Sequence, residues 1–451
     1  MRTLILAVSV AAGLGLAVSA TAEDLIQIYD LAVQSDPVLK EQEQSLYATR
    51  EEKPLARSFL LPSFGVSADA DYNSLRSTSR SAVTRRRSSN NDRFNSQSVS
   101  ASITQSIYDR ADWIRLDQSD DTIAQAEAQY RDAQIELMVR TTDAYFAVLE
   151  AADAVGVQEA LERANERQLE QSKQRFDVGL VAITDVNESQ AAYDRSRANV
   201  ITAKNELNNR WEALRKIIGP VNVPIARLGE RLPLSPPSPN NIDVWADTAI
   251  KNNYRVIAAL EASQVAKKQI EIERSGHFPT FELEAGYGLN RTDQQFGSDT
   301  DSGFVSLNME LPLYLGGRVV ANTRQAGYNF RAAQDRLDTS RRGVLEQVKN
   351  AFRGILSSIS DVQARQAAIV SSRSALESTQ AGLEVGTRTQ VDVLNAQQRL
   401  FQSEFDYLSS RYDYILNGVK LHQATSTLTR DVLIKGNAWL NPKDLLTPST
   451  Y

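Results

Sequence analysis

The sequence contains no cysteine and only two histidines among its 451 residues. The lack of cysteine excludes disulfide bonds, thiolate metal sites and thiol catalysis. His277 and His422 are isolated in the chain, and neither accompanies a Ser/His/Asp set or a phosphate-binding loop. We therefore expect a protein that is not an enzyme and that holds neither a metal ion nor a cofactor.

Long apolar runs and an excess of positive charge are also lacking. After residue 22 no stretch has 18 uncharged apolar residues, so the mature chain is predicted to contain no transmembrane helix. The net charge of -6 argues against a nucleic-acid partner. Residues 1–22 carry Arg2, an apolar run and a small-residue site at 20–22, which is typical of a cleaved export signal; an uncleaved membrane helix is the alternative.

Proline and glycine are scarce in two long stretches, and the few glycines there predict the tips of helical hairpins. A Val-Gly pair ending at Gly179 recurs at Gly386, at an offset of 207 residues, and an Asp-Val pair follows each copy at the same offset. A glycine inside a helix costs about 1 kcal/mol against alanine. Both glycines are therefore predicted to end one helix in the left-handed conformation, with Thr184 or Thr389 starting the next.

The helices on either side of these tips are predicted to be long and paired. Residues 111–176 contain no proline and one glycine, and sixty-odd helical residues span on the order of 100 Å. Apolar residues then recur in steps of three and four, as in a coiled coil. In the helix after the first tip, the predicted seam follows Val186, Tyr193 and Val200, with Gln190 and Arg197 between them.

The order of elements predicts two repeats. Residues 23–218 form the first and 242–424 the second, each with helical sequence (24–60 and 243–275), two strands and a hairpin. The stretch 219–241 contains six of the 13 prolines, which marks it as the linker. The tail, 425–451, is predicted to be short irregular structure that is partly disordered.

Alternating small or polar and apolar residues predict four strands in two β-hairpins. They lie at 63–73, 98–107, 281–290 and 305–313, with polar connections at 74–93 and 291–302. Each has about the ten residues of a tilted membrane strand, although a half-buried soluble sheet gives the same alternation. The acidic residues share the polar face, which predicts a cation-preferring lumen if that face turns inward: Asp69, Asp71, Glu282, Glu284 and Glu310.

A membrane sheet of four strands cannot close on itself. Lipid tolerates only closed sheets, because open edges leave backbone groups unpaired, and the smallest outer-membrane barrels have about eight strands. Copies of the chain are therefore expected to combine their strands. A dimer gives eight strands with a filled interior, and a trimer gives twelve with room for an aqueous lumen; a transport pore favours the trimer.

Several motifs resemble the TolC family of outer-membrane channel-tunnels, in order and over nearly all of the mature chain. The resemblance is carried by residues 175–186, 216–219, 311–317, 385–394, 411–412 and 414–417. It implies a mainly α protein with a membrane β part, in which long coiled-coil hairpins and four strands per chain form a homotrimer. The trimer has a twelve-stranded β-barrel continuous with a twelve-helix α-barrel.

The resemblance also implies a function and partners. The family lies in the outer membrane of Gram-negative bacteria, contacts its lipid and extends into the periplasm, where it docks a periplasmic adaptor protein and an inner-membrane pump. Small toxic compounds, drugs or type I secreted polypeptides leave through the duct, which opens when the periplasmic helix tips untwist. The alternative is a structural periplasmic coiled-coil adaptor protein without its own pore.

The resemblance assigns the gate residue by residue. It implies a latch at the periplasmic tips formed by Gln168, Thr184, Asp185, Arg388 and Arg411. Asp392 matches one of two acidic rings at the family's entrance, whereas Asn395 stands where the second ring is acidic and Leu383 replaces a latch tyrosine. Without the resemblance, the favoured interpretation is that Arg388 and Asp185 are solvated residues at the tips. The Arg-rich connection 74–93 is either a soluble external loop or a site for lipopolysaccharide phosphates.

Overall fold

The computed structural model describes residues 24–80, 82, 85–294 and 297–448. The predicted export signal at 1–22 lies outside the described residues. The helices are α1 (Leu25–Ser35), α2 (Pro37–Arg50), α3 (Glu52–Ser58), α4 (Arg110–Asp177), α5 (Ile183–Ile218), α6 (Ile242–Asn252), α7 (Tyr254–Ser275), α8 (Arg318–Glu384), α9 (Gln390–Ala424) and α10 (Arg430–Asn437). The strands are β1 (Ser63–Arg80), β2 (Arg87–Tyr108), β3 (Ile225–Leu228), β4 (Thr280–Thr292), β5 (Ser298–Glu310) and β6 (Leu440–Leu446).

Buried caps interrupt the two shorter helical stretches, each of which was predicted as a single helix. Asp36 separates α1 from α2, and its carboxylate accepts a hydrogen bond from the backbone N–H of Leu39 at 2.8 Å. The same carboxylate accepts hydrogen bonds from both terminal guanidinium nitrogens of Arg140. Asn253 separates α6 from α7 and caps the first turn of α7. A side-chain oxygen of this kind satisfies N–H groups that have no partner within their own helix, so a new helix begins there.

Four strands form one antiparallel sheet in the order β1-β2-β4-β5. The two predicted hairpins are confirmed, but the strands are longer than predicted. Pairing of β1 with β2 continues from Ser74 and Arg93 as far as Arg80 and Arg87, so the predicted loop at 74–93 was wrong. The second connection is also shorter, because β5 begins at Ser298. Ladder hydrogen bonds use only the backbone, and polar side chains on an exposed ribbon do not end them.

The described part of the C-terminal tail, 425–448, contains a helix and a strand, so the prediction of irregular structure there was wrong. α10 buries Leu433, and β6 pairs antiparallel with β3 inside the proline-rich linker, where Ile225 lies opposite Leu446. Tyr145 of α4 donates a hydrogen bond to the Ala226 carbonyl at 2.6 Å and packs edge-on against Phe146. The ribbon of β3 and β6 therefore packs against the central part of α4.

The described chain divides into two compact units. One combines the described parts of 1–40, 133–250 and 345–451; the other combines 41–132 and 251–344. The first holds both helix tips and the β3–β6 ribbon, and the second holds the four-stranded sheet. Among the described helices, none is long and apolar enough to cross a membrane.

Candidate functional site

The tips of both hairpins end in the predicted left-handed glycines. Gly179 has φ 75° and Gly386 has φ 78°. In the first tip the N–H groups of residues 179 and 180 donate to the carbonyls of 176 and 175, both at 2.8 Å. In the second, those of 386 and 387 donate to 383 and 382, at 3.2 and 2.8 Å. This is the Schellman pattern, which satisfies the last carbonyls of a helix.

The helices that follow the tips begin differently. Thr389 caps α9, as predicted. Its hydroxyl and backbone N–H both donate to the Asp392 carboxylate at 2.9 Å. These bonds and nearby Arg388 lower the pKa of Asp392 below its ordinary value of 3.8. Thr184 does not cap α5: the cap position is Ala182, which offers no side-chain oxygen. That part of the prediction was wrong.

A buried polar network joins the first hairpin to the second near the tips. Gln390 of α9 accepts a hydrogen bond from the Gln168 amide on α4 and donates one to the Ser189 hydroxyl on α5, each at 3.1 Å. Ser189 also contacts the Ser172 hydroxyl at 3.0 Å. Buried polar groups that are hydrogen-bonded specify one packing arrangement, because separating them leaves donors and acceptors unpaired.

The network has a second layer further from the tips. Gln397 of α9 donates to the Asn165 carbonyl oxygen at 3.2 Å, and Asn165 donates to the Ala192 carbonyl on α5 at 3.3 Å. Gln397 and Asn165 are both buried. Two polar layers thus connect α4, α5 and α9 across the interface between the hairpins.

The predicted latch residues are not gathered within one chain. Gln168 belongs to the network, and Asp185 contributes its backbone carbonyl to the Ser189 hydroxyl at 2.9 Å. Thr184 and Arg388 are exposed, and in the described part of the chain the Arg388 guanidinium makes no hydrogen bond or ion pair. Of the entrance positions, Asp392 is committed to its cap and Asn395 is exposed.

Arg411 lies well along α9 and not at the tip. Its side chain is 7% exposed and donates to the carbonyls of Gly229 and Glu230, just after β3. Nearby, the Tyr412 hydroxyl donates to the Asp153 carboxylate at 2.6 Å. Burial raises the pKa of Asp153 despite this bond. Within one chain Arg411 therefore fixes the linker to α9.

Apart from Gln168, sequence reasoning missed the residues of the polar network because they resemble solvent-facing residues. One pattern could have found them: each of the three helices carries a pair of small or amide side chains seven residues apart, namely Asn165 and Ser172, Ser189 and Ser196, and Gln390 and Gln397. Seven residues is one coiled-coil repeat. The seam of α5 follows Ser189, Ser196 and Val200, so the prediction of Gln190 and Arg197 was wrong by one residue.

The polar face of the sheet carries all five predicted acidic residues. Strand pairing places Asp69 opposite Ser98, Asp71 opposite Ser96, Glu284 opposite both Thr104 and Ser306, Glu282 opposite Asn308, and Glu310 opposite Thr280. Directly opposed residues of an antiparallel pair point to the same face. The predicted division of the two faces is confirmed, whereas the direction in which each face turns in an assembly is not a property of one chain.

Glycines on this sheet make room for aromatic rings. Phe304 lies opposite Gly286, and a Cβ added to Gly286 would lie 2.7 Å from its ring. On the other face Tyr287 lies opposite Gly303, and a Cβ added to Gly303 would lie 3.4 Å from the Tyr287 ring. The Phe304 ring therefore fills the space beside Gly286.

The other face of the sheet leaves large apolar side chains in contact with solvent in a single chain. Phe64 is 70% exposed and Val305 is 76% exposed. They continue along all four strands in one patch with Val66, Tyr72, Val99, Ile103, Tyr287, Leu289, Leu307 and Met309. β1 and β5 each have a single partner strand in the described chain, so both outer edges are unpaired. Apolar patches and open edges of this size mark an interaction surface.

The comparisons with known proteins agree with this architecture. The family described as "Outer membrane efflux protein" matches residues 28–220 and 245–427. Outer membrane protein TolC of Escherichia coli (strain K12) is 35% identical over 435 residues, covering 93% of this chain and 86% of that protein. Alkaline protease secretion protein AprF of Pseudomonas aeruginosa is 28% identical over 403 residues, covering 88% and 83%.

The fold is shared with solved outer-membrane channels. The Campylobacter jejuni CmeC outer membrane channel superposes with a TM-score of 0.74 at 16% identity, covering 97% of this chain and 98% of that one. Two helical hairpins, two strand pairs and the sequence match over most of the chain lead to one assignment. The chain belongs to the outer membrane efflux protein family, as a TolC-like outer-membrane channel of efflux or secretion.

Proposed function

We propose that three copies of the chain assemble into one export duct, with a twelve-stranded β-barrel in the outer membrane and a twelve-helix tunnel in the periplasm. The observation that supports this most strongly is the four-stranded sheet, with two unpaired edges and an exposed apolar face. Three such sheets close into a barrel wide enough for an aqueous lumen. Closure pairs every edge and turns the apolar faces to lipid.

The mass of the purified full-length protein in detergent tests this assembly. We expect three chains per particle, migration as a heat-modifiable trimer and ion conductance in planar bilayers. A monodisperse, water-soluble monomer contradicts the proposal. The rival function, a coiled-coil adaptor without a pore, requires no amphipathic strand pairs, whereas this chain carries two.

The gate lies at the helix tips. In the assembled duct Arg388 of one copy pairs with Asp185 of its neighbour, which suits an exposed arginine and a half-buried aspartate at the tips, neither of whose side chains has a partner in the described part of the chain. An Arg–carboxylate contact is directional and reversible. Exposed pairs contribute about 0–1 kcal/mol each, so three copies contribute about 0–3 kcal/mol to the closed state. Opening is an untwisting of the tips that breaks these contacts.

Single-channel recording tests the gate. Arg388→Ser and Asp185→Ala are each expected to raise conductance, since up to about 3 kcal/mol shifts the ratio of open to closed states by up to roughly two orders of magnitude. Arg163→Ser, an exposed change further along α4, is the matched control and leaves conductance unchanged. If both tip variants conduct like the parent, these residues do not form the latch.

A periplasmic adaptor docks at the tips and connects the duct to an inner-membrane pump. The exposed apolar side chains Val178, Leu180 and Val385 surround the two turns, where a single chain gives them nothing to pack against. The cargo is a small toxic compound or a type I secreted polypeptide, in keeping with relatives named for efflux and for protease secretion. Crosslinking from position 180 followed by co-purification is expected to recover an adaptor. The same experiment from exposed position 201 on α5 is the control.

A further inference from the structure

The four-stranded sheet is sheared, so that its two free edges extend past each other at opposite ends. If the paired residues are followed across the sheet, Ser63 at the start of β1 lies at the same level as Ser306 of β5. From that level β5 extends four residues further, to Glu310. At the other end Asp71 is level with Ser298, the start of β5, and β1 extends nine residues further to Arg80. A tilted closed barrel requires a stagger of this kind between its strands.

The stagger restricts how a second copy pairs with the free edge of β5. An even number of strands per chain makes β1 of the next copy antiparallel to β5. The 13 residues of β5 all find partners within the 18 residues of β1 only when the next copy is shifted by four to nine residues. The shift must be even, because an odd shift would turn every side chain to the wrong face.

Each allowed shift brings the same charged residues together. Within one sheet Asp299 is level with Ala70. Shifts of four, six and eight residues place Asp299 opposite Ser74, Arg76 and Thr78 of the next copy, respectively. Arg76 is therefore directly opposite Asp299 or at the adjacent same-face position in all three. Diagonal same-face neighbours in a sheet are about 7–8 Å apart, within reach of long side chains.

The charges at these two edges are complementary. The far end of the β1–β2 hairpin carries six arginines between 76 and 93 and one acid, Asp92. The end of the β4–β5 hairpin carries three aspartates and Arg291. Asp299 lies 3.8 Å from Arg291, and Asp301 has no ion-pair partner in the part of the chain that the structure describes. Both aspartates and Arg76 lie on the face that carries the apolar side chains.

We propose that Arg76 of one copy forms an interchain ionic contact with Asp299 and Asp301 of the adjacent copy, and that this contact sets the register in which the copies close. The inference rests on the proposed trimer and adds its interface. The part of β1 that extends past the start of β5, together with its arginines, then pairs with the neighbouring copy of the same chain. An anionic lipid surface is the competing occupant of the arginines.

Disulfide crosslinking tests the register, since the natural chain has no cysteine. Arg76→Cys and Asp299→Cys in one chain lie on strands about 14 Å apart in the sheet, beyond the roughly 7 Å limit for a disulfide. Ser74→Cys and Thr78→Cys are each combined with Asp299→Cys in the same way, because a shift of four, six or eight residues decides which of the three positions lies directly opposite Asp299. Oxidation of the outer-membrane preparation is therefore expected to link copies in one of the three variants and to give covalent dimers and trimers on non-reducing gels. Arg87→Cys with Asp299→Cys is the control, because Arg87 lies on β2 away from the free edge. This variant is expected to give no covalent dimers or trimers on the same gels.

Charge reversal tests the ionic contact. Arg76→Asp and Asp299→Arg are each expected to lower the temperature at which the detergent-solubilised trimer dissociates, and the double variant to restore it, whereas Arg87→Asp leaves it unchanged. If the parent protein is a trimer but none of the three cysteine pairs crosslinks, or the double charge variant does not restore the dissociation temperature, this inference is overturned and the trimer stands. A monomeric parent protein overturns both. If Arg76→Asp weakens only binding to vesicles of anionic lipid, the arginines serve lipid and the contact between copies is wrong.

Discussion

At the scale of single residues, Asp392 combines a structural role with a charge at the second tip. Its carboxylate accepts two hydrogen bonds from Thr389, and these favour the ionised form. The pKa of Asp392 is lowered, so the stability that it gives to the start of α9 is present above the unfolded pKa of 3.8 and is lost only as the pH falls through the folded value. The charge therefore persists where an ordinary aspartate is protonated.

The proposed entrance ring of three Asp392 carboxylates predicts block by divalent cations added on the tip side. Asp392→Asn is expected to abolish the block. Asn395→Asp restores a second acidic ring and is expected to strengthen the block. Current through bilayers at graded Mg²⁺ concentrations measures both. A block that survives Asp392→Asn places the cation site elsewhere.

Asp153 has the opposite shift. Burial raises its pKa and outweighs the Tyr412 hydroxyl and the Arg227 guanidinium that favour the charge. Since the folded pKa is the higher one, stability is greatest below the unfolded value of 3.8 and declines as the pH rises through the folded value. Asp153→Asn keeps an acceptor for Tyr412 and removes the buried charge.

We expect Asp153→Asn to raise the melting temperature at pH 7 and to match the parent near pH 3. Circular dichroism at 222 nm in detergent measures both. Tyr412→Phe is expected to have the opposite effect and to lower the melting temperature at neutral pH. It leaves the Asp153 carboxylate without its hydroxyl donor, at a cost of about 1–3 kcal/mol. A lower melting temperature for Asp153→Asn at pH 7 would show that the ion pair with Arg227 dominates the site.

At the scale of elements, the polar network between the hairpins predicts a second determinant of gating inside each chain. Gln390→Met has a similar volume but leaves the Gln168 amide without its acceptor and removes one donor to the Ser189 hydroxyl, a penalty of about 1–3 kcal/mol. We expect α9 to separate more readily from α4 and α5, with higher single-channel conductance. Gln398→Met, on the exposed side of α9, should conduct like the parent. Equal conductance in both variants would limit the gate to contacts between copies.

The glycine–aromatic pair in the sheet predicts a position-specific requirement. Gly286→Ala brings a Cβ to 2.7 Å from the Phe304 ring, which must move, and overpacking of this kind costs about 1–3 kcal/mol. Gly288→Ala on the same face meets its nearest neighbour at 3.7 Å and is the matched control. The dissociation temperature of the trimer should fall for position 286 alone and recover when Phe304→Leu is added. A fall of equal size at position 288 would indicate a general loss of glycine flexibility.

The elements that sequence patterns located are those with a local physical cause. Gly179 and Gly386 were predictable because a left-handed residue after a long helix calls for glycine, and the strand faces were predictable from a period of two. The β3–β6 ribbon was not, because its pairing joins residues more than 200 positions apart and its strands are short. The polar network escaped for a different reason: serine and glutamine in a coiled-coil seam have the composition of a solvated surface.

At the scale of the whole molecule, the repeat gives one chain two similar helical hairpins. α4 and α8 have 68 and 67 residues, and α5 and α9 have 36 and 35. Near-equal helices let both hairpins occupy equivalent places in the proposed ring of three copies. The sequence differences then fall where equivalence is not required: the Arg-rich end of the first strand pair has no basic counterpart in the second.

The sheet predicts the ion selectivity of the assembled channel. Five carboxylates share the polar face in each copy, and a trimer with that face inward lines its barrel with fifteen of them. Rings of carboxylates concentrate cations at the wall of a pore. In a salt gradient the reversal potential is therefore expected to show cation preference, which the combined change Glu282→Gln, Glu284→Gln and Glu310→Gln should reduce. Neutralising Asp301 on the opposite face, with Asp301→Asn, should leave the potential unchanged, and anion preference in the parent protein would mean that the acidic face does not line the conducting path.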